Sequence, residues 1–144
     1  YLAVPTGDDE ARAEAALAEV GMADKAGRRI TALSGGELQL VRIARALVQE
    51  ASYVILDEPS DMLDPVHAAT IGRAIRRLAD SGAGVLLSTH DLAFALACAD
   101  EAATLRAGRL LAVGPTADIV EPRGLEALYG TPFELRSLPT PVLD

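Results

Sequence analysis

The chain has 144 residues, enough for one ordinary domain and too few for two substantial ones. Half the residues are hydrophobic and 24% are charged, so there is apolar surface for a packed core and disorder is excluded. Thirteen basic against 21 acidic side chains leave a net charge of −8, which repels phosphate backbones and excludes bulk nucleic-acid binding.

Aromatic residues make up 3% and Trp is absent, so Leu, Val, Ile and Ala must build the core. The single cysteine, Cys98, allows no intramolecular disulfide and no multi-thiolate metal site, in keeping with a reducing compartment. No run approaches the roughly 18 apolar residues of a membrane span. No basic stretch followed by an apolar one marks a secretion signal. The chain opens at Tyr1 rather than Met, which is expected of a piece of something longer.

Residues 8–20 read as a helix with acids in its first turn and Ala13, Ala16, Leu17 and Val20 on one face; Gly21 stops it. A second helix is predicted from Ser34 to about Glu50. Ser34 and Glu37 form its capping box, and Leu40, Val41, Ala44, Leu47 and Val48 form its buried stripe. Tyr53-Val54-Ile55-Leu56 is too short for a helix and reads as a strand covered on both faces, ending in Asp57-Glu58-Pro59. Asp64-Pro65 opens a third helix, with Ile71, Ile75 and Leu78 inward and an end near Gly82. Gly84 to Ser88 is a second buried strand, and Asp91 caps a helix reaching about Ala97. Strand, helix, strand, helix with apolar strands implies parallel βαβ wiring. Ala102–Leu105 and Leu110–Val113 flank Ala107-Gly108 as a hairpin. The last thirty residues read as short helices broken by Pro122, Pro132, Pro139 and Pro141.

Three features carry chemistry. Leu33-Ser34-Gly35-Gly36-Glu37 stands at a helix start, where free N–H groups, two glycines and a hydroxyl make an anion cradle. By itself the pentapeptide is equally a capped helix after a glycine turn. Asp57 and Glu58 end a buried strand, where open α/β sheets bind ligands. There Asp57 suits a magnesium ion held through water, and Glu58 can polarise a water aimed at a γ-phosphate. Solvated carboxylates at a strand end are the plainer reading of the pair. Ser88-Thr89-His90-Asp91 ends the next strand. Its imidazole can hydrogen-bond a γ-phosphate oxygen, although a lone His there is more often a turn residue.

In this order and spacing, LSGGELQLVRIARAL, YVILDEP, SDMLD and STHD resemble the second half of an ATP-binding cassette (ABC) ATPase, from about residue 8 to residue 120. LSGGE looks like the signature loop, YVILDE like Walker B with its catalytic glutamate, SDMLD like the D-loop, and His90 like the switch histidine. The resemblance implies a P-loop NTPase type α/β fold whose N-terminal half is missing. Residues 1–50 would be part of the helical subdomain and 51–144 the C-terminal part of the ATPase core, with an antiparallel hairpin near the C-terminus. It also implies a head-to-tail dimer of two nucleotide-binding domains, with ATP and Mg2+ as cofactors. Ser34, Gly35, Gly36 and Glu37 would belong to the signature contact with the γ-phosphate of the partner's nucleotide. Asp57 would serve the metal, Glu58 the attacking water, and His90 the γ-phosphate. Asp64 would communicate across the dimer. The tail AGRLLAVGPTADIV with Leu128-Tyr129-Gly130 resembles importer ATPases for ferric siderophores, haem or cobalamin, which implies a transmembrane permease and a place on the cytoplasmic face of the membrane.

No GxxxxGK[ST] occurs, and Lys25 is the only lysine. Family architecture puts the phosphate loop and glutamine loop before Tyr1, so this chain alone is expected not to hydrolyse ATP. Two alternatives stand beside the importer. One is a non-transport cassette, serving DNA repair, chromosome structure or translation. The other is a truncated, non-hydrolysing interaction module. Where many members have Gln, the signature ends in Glu37, and the D-loop carries Asp61 and Met62 in place of small residues.

Overall fold

In the computed structural model the described residues are 5–61 and 63–134. Two compact units follow one another along the chain, Tyr1–Thr89 and His90–Asp144.

In the first unit, helix α1 (Gly7–Glu19) begins at Thr6, whose hydroxyl and Asp9 form a reciprocal capping box. Gly21, at φ 72°, then turns the chain in the left-handed region that suits glycine. Two 3-10 turns, Ala23–Lys25 and Ile30–Ala32, lead into α2 (Gly35–Val48). Strand β1 (Tyr53–Asp57), helix α3 (Pro65–Asp80) and strand β2 (Gly84–Ser88) form a βαβ unit. The strands pair in parallel, Tyr53 opposite Gly84 and Asp57 opposite Ser88. A Cβ on Gly84 would fall 2.8 Å from the Tyr53 ring, which would have to move to admit it. Helix α1 packs on α2, α2 on α3, and α3 on β2. Their shared core is Ala16, Val20, Met22, Leu40, Ile43, Ala44, Val54, Ile71, Ile75 and Leu78.

One expectation fails here. β1 is not covered on both faces: Val54 is buried, but Tyr53 and Ile55 are 83% and 79% exposed, and Leu86 on β2 is 66% exposed. Side chains alternate along a strand, so packing on one face covers only every second residue. The continuous apolar run is therefore one covered row and one open row.

The second unit begins with α4 (Leu92–Cys98), capped by Asp91, whose Oδ1 accepts the N–H groups of Ala93 and Phe94. Strands β3 (Glu101–Arg106) and β4 (Arg109–Pro115) pair antiparallel around Ala107-Gly108. Both turn residues have positive φ, 50° and 74°, the conformation that matches a tight hairpin to the strand twist. Helices α5 (Thr116–Ile119) and α6 (Pro122–Tyr129) close the unit. Pro122 opens α6 at its first turn rather than breaking a helix, because the missing N–H there has no intrahelical acceptor to lose. Gly124 is needed for close approach, since a Cβ would fall 2.2 Å from the Ile119 carbonyl oxygen. Phe94, Cys98, Val120 and Leu125 are buried, which makes Cys98 the small core residue its surroundings favour. Pro139 and Pro141 lie outside the described residues.

The two rows of the sheet respond differently to mutation. Ile71→Ala, in the covered core, should cost about 2–5 kcal/mol in urea unfolding. Ile55→Thr should shift stability by less than about 0.5 kcal/mol while reducing binding of a hydrophobic dye. Equal destabilisation by the two would overturn the assignment of faces.

Candidate functional site

Five of the eight residues singled out from the sequence stand at two ends of the first unit's secondary structure: Ser34, Gly35, Gly36 and Glu37 at the start of α2, Asp57 at the end of β1. Glu58 follows Asp57, and Asp64 precedes α3. His90 begins the second unit, exposed, one residue before the cap of α4.

At α2 the capping box forms as the sequence predicts. Glu37 N–H donates to Ser34 Oγ at 3.2 Å, and Ser34 N–H donates to Glu37 Oε2 at 2.8 Å. Leu38 N–H donates to the Ser34 carbonyl at 2.9 Å. Gly35 and Gly36 sit at the first two helical positions, and their N–H groups have no acceptor among the described residues. Ser34 Oγ accepts the Glu37 N–H in the box, and its hydroxyl also helps hold the Glu37 carboxylate. The result is a short row of donors at the positive end of a helix, the arrangement that receives a phosphate oxygen. Gly36 is also a packing requirement: a Cβ would lie 3.0 Å from Leu63 Cδ2. Leu63 thus carries the loop before α3 against the start of α2, a contact with no signal in the sequence.

Glu37 brings a negative charge to this helix start, and the chain's only lysine offsets it. Lys25 Nζ donates to Glu37 Oε1 at 2.8 Å, with the side chains 24% and 21% exposed. This ion pair, together with the Ser34 hydrogen bonds, holds the Glu37 carboxyl down to a pKa of about 2, from an ordinary 4.5. The same contact raises the Lys25 ammonium above its usual range. Lys25 is therefore committed to Glu37, and sequence reading left it without a role.

At the sheet, the register brings Ser88 beside Asp57. Ser88 Oγ donates to Asp57 Oδ1 at 2.6 Å. The Glu58 N–H donates to both Ser88 Oγ, at 3.0 Å, and the Ser88 carbonyl, at 3.2 Å. Glu58 itself has φ 45°, a left-handed conformation that costs a non-glycine residue about 1–2 kcal/mol. Asp57 Oδ2 has no hydrogen bond among the described residues. A single carboxylate oxygen open to water suits Mg2+, which keeps most of its hydration shell and binds through one or two carboxylates plus phosphates. No cluster of three or more His, Cys, Asp or Glu exists among the described residues, so a metal held by protein alone has no cage there.

After Pro59, hydrogen bonds from Asp61 N–H to the Glu58 carbonyl and from Leu63 N–H to the Ser60 carbonyl fold the loop tightly. Asp64 ends it as a cap: Oδ1 accepts from Val66 and His67 N–H at 2.9 and 3.0 Å, and Oδ2 pairs with His67 Nδ1. These bonds lower the Asp64 pKa, the His67 backbone contact contributing most.

An open cleft of about 760 Å³ lies elsewhere, between α1 and the C-terminal ends of α2 and α3. It is bordered by the Arg12–Glu50 and Arg77–Glu19 ion pairs and lined by none of the candidate residues.

Comparison with other proteins bears on the family of the chain. The family described as ABC transporter matches residues 3–61. A solved metal-chelate type ABC transporter in an inward-facing conformation superposes with a TM-score of 0.78 at 30% identity, over 91% of this chain and 52% of that one. This chain belongs to the ABC transporter ATP-binding family. The hemin import ATP-binding protein HmuV of Streptomyces coelicolor is 41% identical over 128 residues, 89% of this chain and 46% of the relative. HmuV of Rhodococcus jostii is 42% identical over 132 residues, 91% and 45% respectively. An ATP-binding cassette at 24% identity and a TM-score of 0.72 shares the fold. The ABC chain thus spans about half the length of the curated relatives it matches.

The lowered Glu37 pKa sets a pH window. A folded-state value of about 2 against an ordinary 4.5 means that the pair stabilises fully above pH 4.5 and loses that contribution as pH falls toward 2. Urea midpoints followed across that interval should fall less steeply for Lys25→Ala than for the wild type. Parallel curves would remove Lys25 as the principal cause.

Proposed function

We propose that this chain carries the signature-loop and Walker B half of an ATP-hydrolysing subunit that powers an ABC importer for haem or a related iron chelate or corrinoid. The observation that carries the reading is the strand-end pair Asp57-Glu58, held by Ser88 in the same unit as a capped Ser34-Gly35-Gly36-Glu37 helix start. Residues 1–50 are read as part of the helical subdomain and 51–144 as the C-terminal part of the ATPase core. The named relatives support the cargo class, since both HmuV proteins import hemin.

In this reading ATP brings the phosphoryl group, and Mg2+ spreads the charge that develops on its oxygens. Asp57 would hold a Mg2+ ion, through water, at its open oxygen. Glu58 accepts the proton of the attacking water. Ser34, Gly35 and Gly36 donate to the γ-phosphate of a nucleotide held by a second cassette, packed head to tail, with Glu37 keeping their helix start capped. Asp64 fixes the loop that faces that second cassette. His90 donates to a γ-phosphate oxygen and registers its departure. No helix among the described residues is long and apolar enough to cross a membrane. By analogy with the import ATP-binding relatives, the chain would work at the cytoplasmic face beside a transmembrane permease.

The test uses the protein expressed from its complete reading frame. Glu58→Gln should lower hydrolysis by about 10²–10⁴-fold, the usual worth of a general base, while nucleotide binding persists and a stable dimer accumulates with ATP. Reconstituted with its permease in vesicles, the wild type should take up haem, a ferric siderophore or cobalamin only with ATP. Hydrolysis unaffected by Glu58→Gln would sink the assignment of the base. Uptake of none of the three cargoes would sink the importer reading.

A further inference from the structure

Ser88 opens the STHD motif without a role of its own in the sequence reading, yet it touches both acids at the strand end. Its hydroxyl has one proton to give and lone pairs to accept with. The proton goes to Asp57 Oδ1 at 2.6 Å, and a lone pair receives the Glu58 N–H at 3.0 Å. The Ser88 carbonyl takes the same N–H at 3.2 Å. One residue of β2 thus anchors the side chain of Asp57 and the backbone of Glu58.

The Glu58 backbone needs such an anchor. At φ 45° it sits in a region that a side-chain-bearing residue leaves unless its surroundings hold it. Rotation of the Asp57–Glu58 peptide toward the extended region would re-aim the Glu58 side chain. Ser88 Oγ and the Ser88 carbonyl both hold that peptide's N–H. Strand register explains why the anchor lies there: Asp57 and Ser88 are direct partners across the parallel pair.

We infer that Ser88 is a positioning residue for hydrolysis, locking Glu58 in its left-handed conformation and Asp57 in one rotamer, so that the base and the metal-facing oxygen are set before nucleotide arrives. The inference rests on the reading of Glu58 as the base and Asp57 as the metal-facing acid. The hydroxyl is the working group, so size alone does not replace it. Threonine retains it; alanine and cysteine do not offer an equivalent donor and acceptor.

In the protein from the complete reading frame, Ser88→Ala should lower kcat by about tenfold to a hundredfold, the scale of a misplaced catalytic group. The KM for ATP should stay within about twofold, because the lost contact acts in the transition state. The Mg2+ concentration for half-activation should rise as Asp57 loosens. Ser88→Thr should recover most of kcat, whereas Ser88→Cys should not. In a Glu58→Gln background, at saturating Mg2+, the further loss from Ser88→Ala should shrink to well below its value in the wild type, since there is no base left to position.

Losses that add fully in the double variant would overturn the inference, as would a Ser88→Ala protein of normal kcat and lowered melting temperature. Poor folding of Ser88→Ala is covered by the Thr and Cys pair, which must separate in kcat at matched melting temperatures. A wild type that hydrolyses ATP while Thr and Cys behave alike overturns this inference alone. A wild type without hydrolysis overturns the ATPase reading and the inference together.

Discussion

The parallel pairing of two five-residue strands is the constraint on which the chemistry of this chain depends. Tyr53 opposite Gly84 sets the register at one end, and four residues on it delivers Asp57 opposite Ser88. A shift by one residue would put every side chain on the other face of the sheet. Asp57 would lose its partner, and the Glu58 N–H would lose its acceptors. At the far end of the same pair the Tyr53 ring lies where a side chain on Gly84 would project.

Side-chain capping does the corresponding work for the helices. Ser34, Asp64 and Asp91 each occupy an N-cap, and each lies in a motif that the family resemblance marks as functional. The coincidence has a physical basis. An N-cap exposes backbone donors at a fixed place and direction, and it holds the loop before it in an extended conformation. At α2 the cap satisfies two donors internally and leaves those of Gly35 and Gly36 open. At α3 both Asp64 oxygens are used within the turn, so the residue shapes its loop rather than reaching outward. The Lys25–Glu37 pair adds charge balance at the one helix start that carries an acid beside its open donors.

Much of this was readable from the sequence because the signals are local. The S-x-x-E box, Asp64 before Pro65, and Ala107-Gly108 between apolar runs each settle a structure within four residues. The acids at the end of an apolar run follow from the same local logic. What sequence reading missed is long-range. Lys25 lies twelve positions from Glu37, Leu63 twenty-seven from Gly36 and Ser88 thirty-one from Asp57, and no periodicity links them. The open row of β1 has a related reason: an apolar run records which residues avoid water but not which neighbours cover them, and this chain spans about half the length of its curated relatives. Tyr53, Ile55 and Leu86 remain exposed because burial belongs to the packed arrangement.

By itself, then, the sequence determined the element order, the caps, the hairpin turn and the family, because hydrophobic period, backbone preference and short-range hydrogen bonding act over a few residues. Tertiary structure alone decided which side chain balances Glu37 and which hydroxyl binds Asp57 and Glu58. Those outcomes depend on bringing distant segments within hydrogen-bonding or van der Waals distance. Their energies exist only after the chain has met the entropic cost of closing the loops between them.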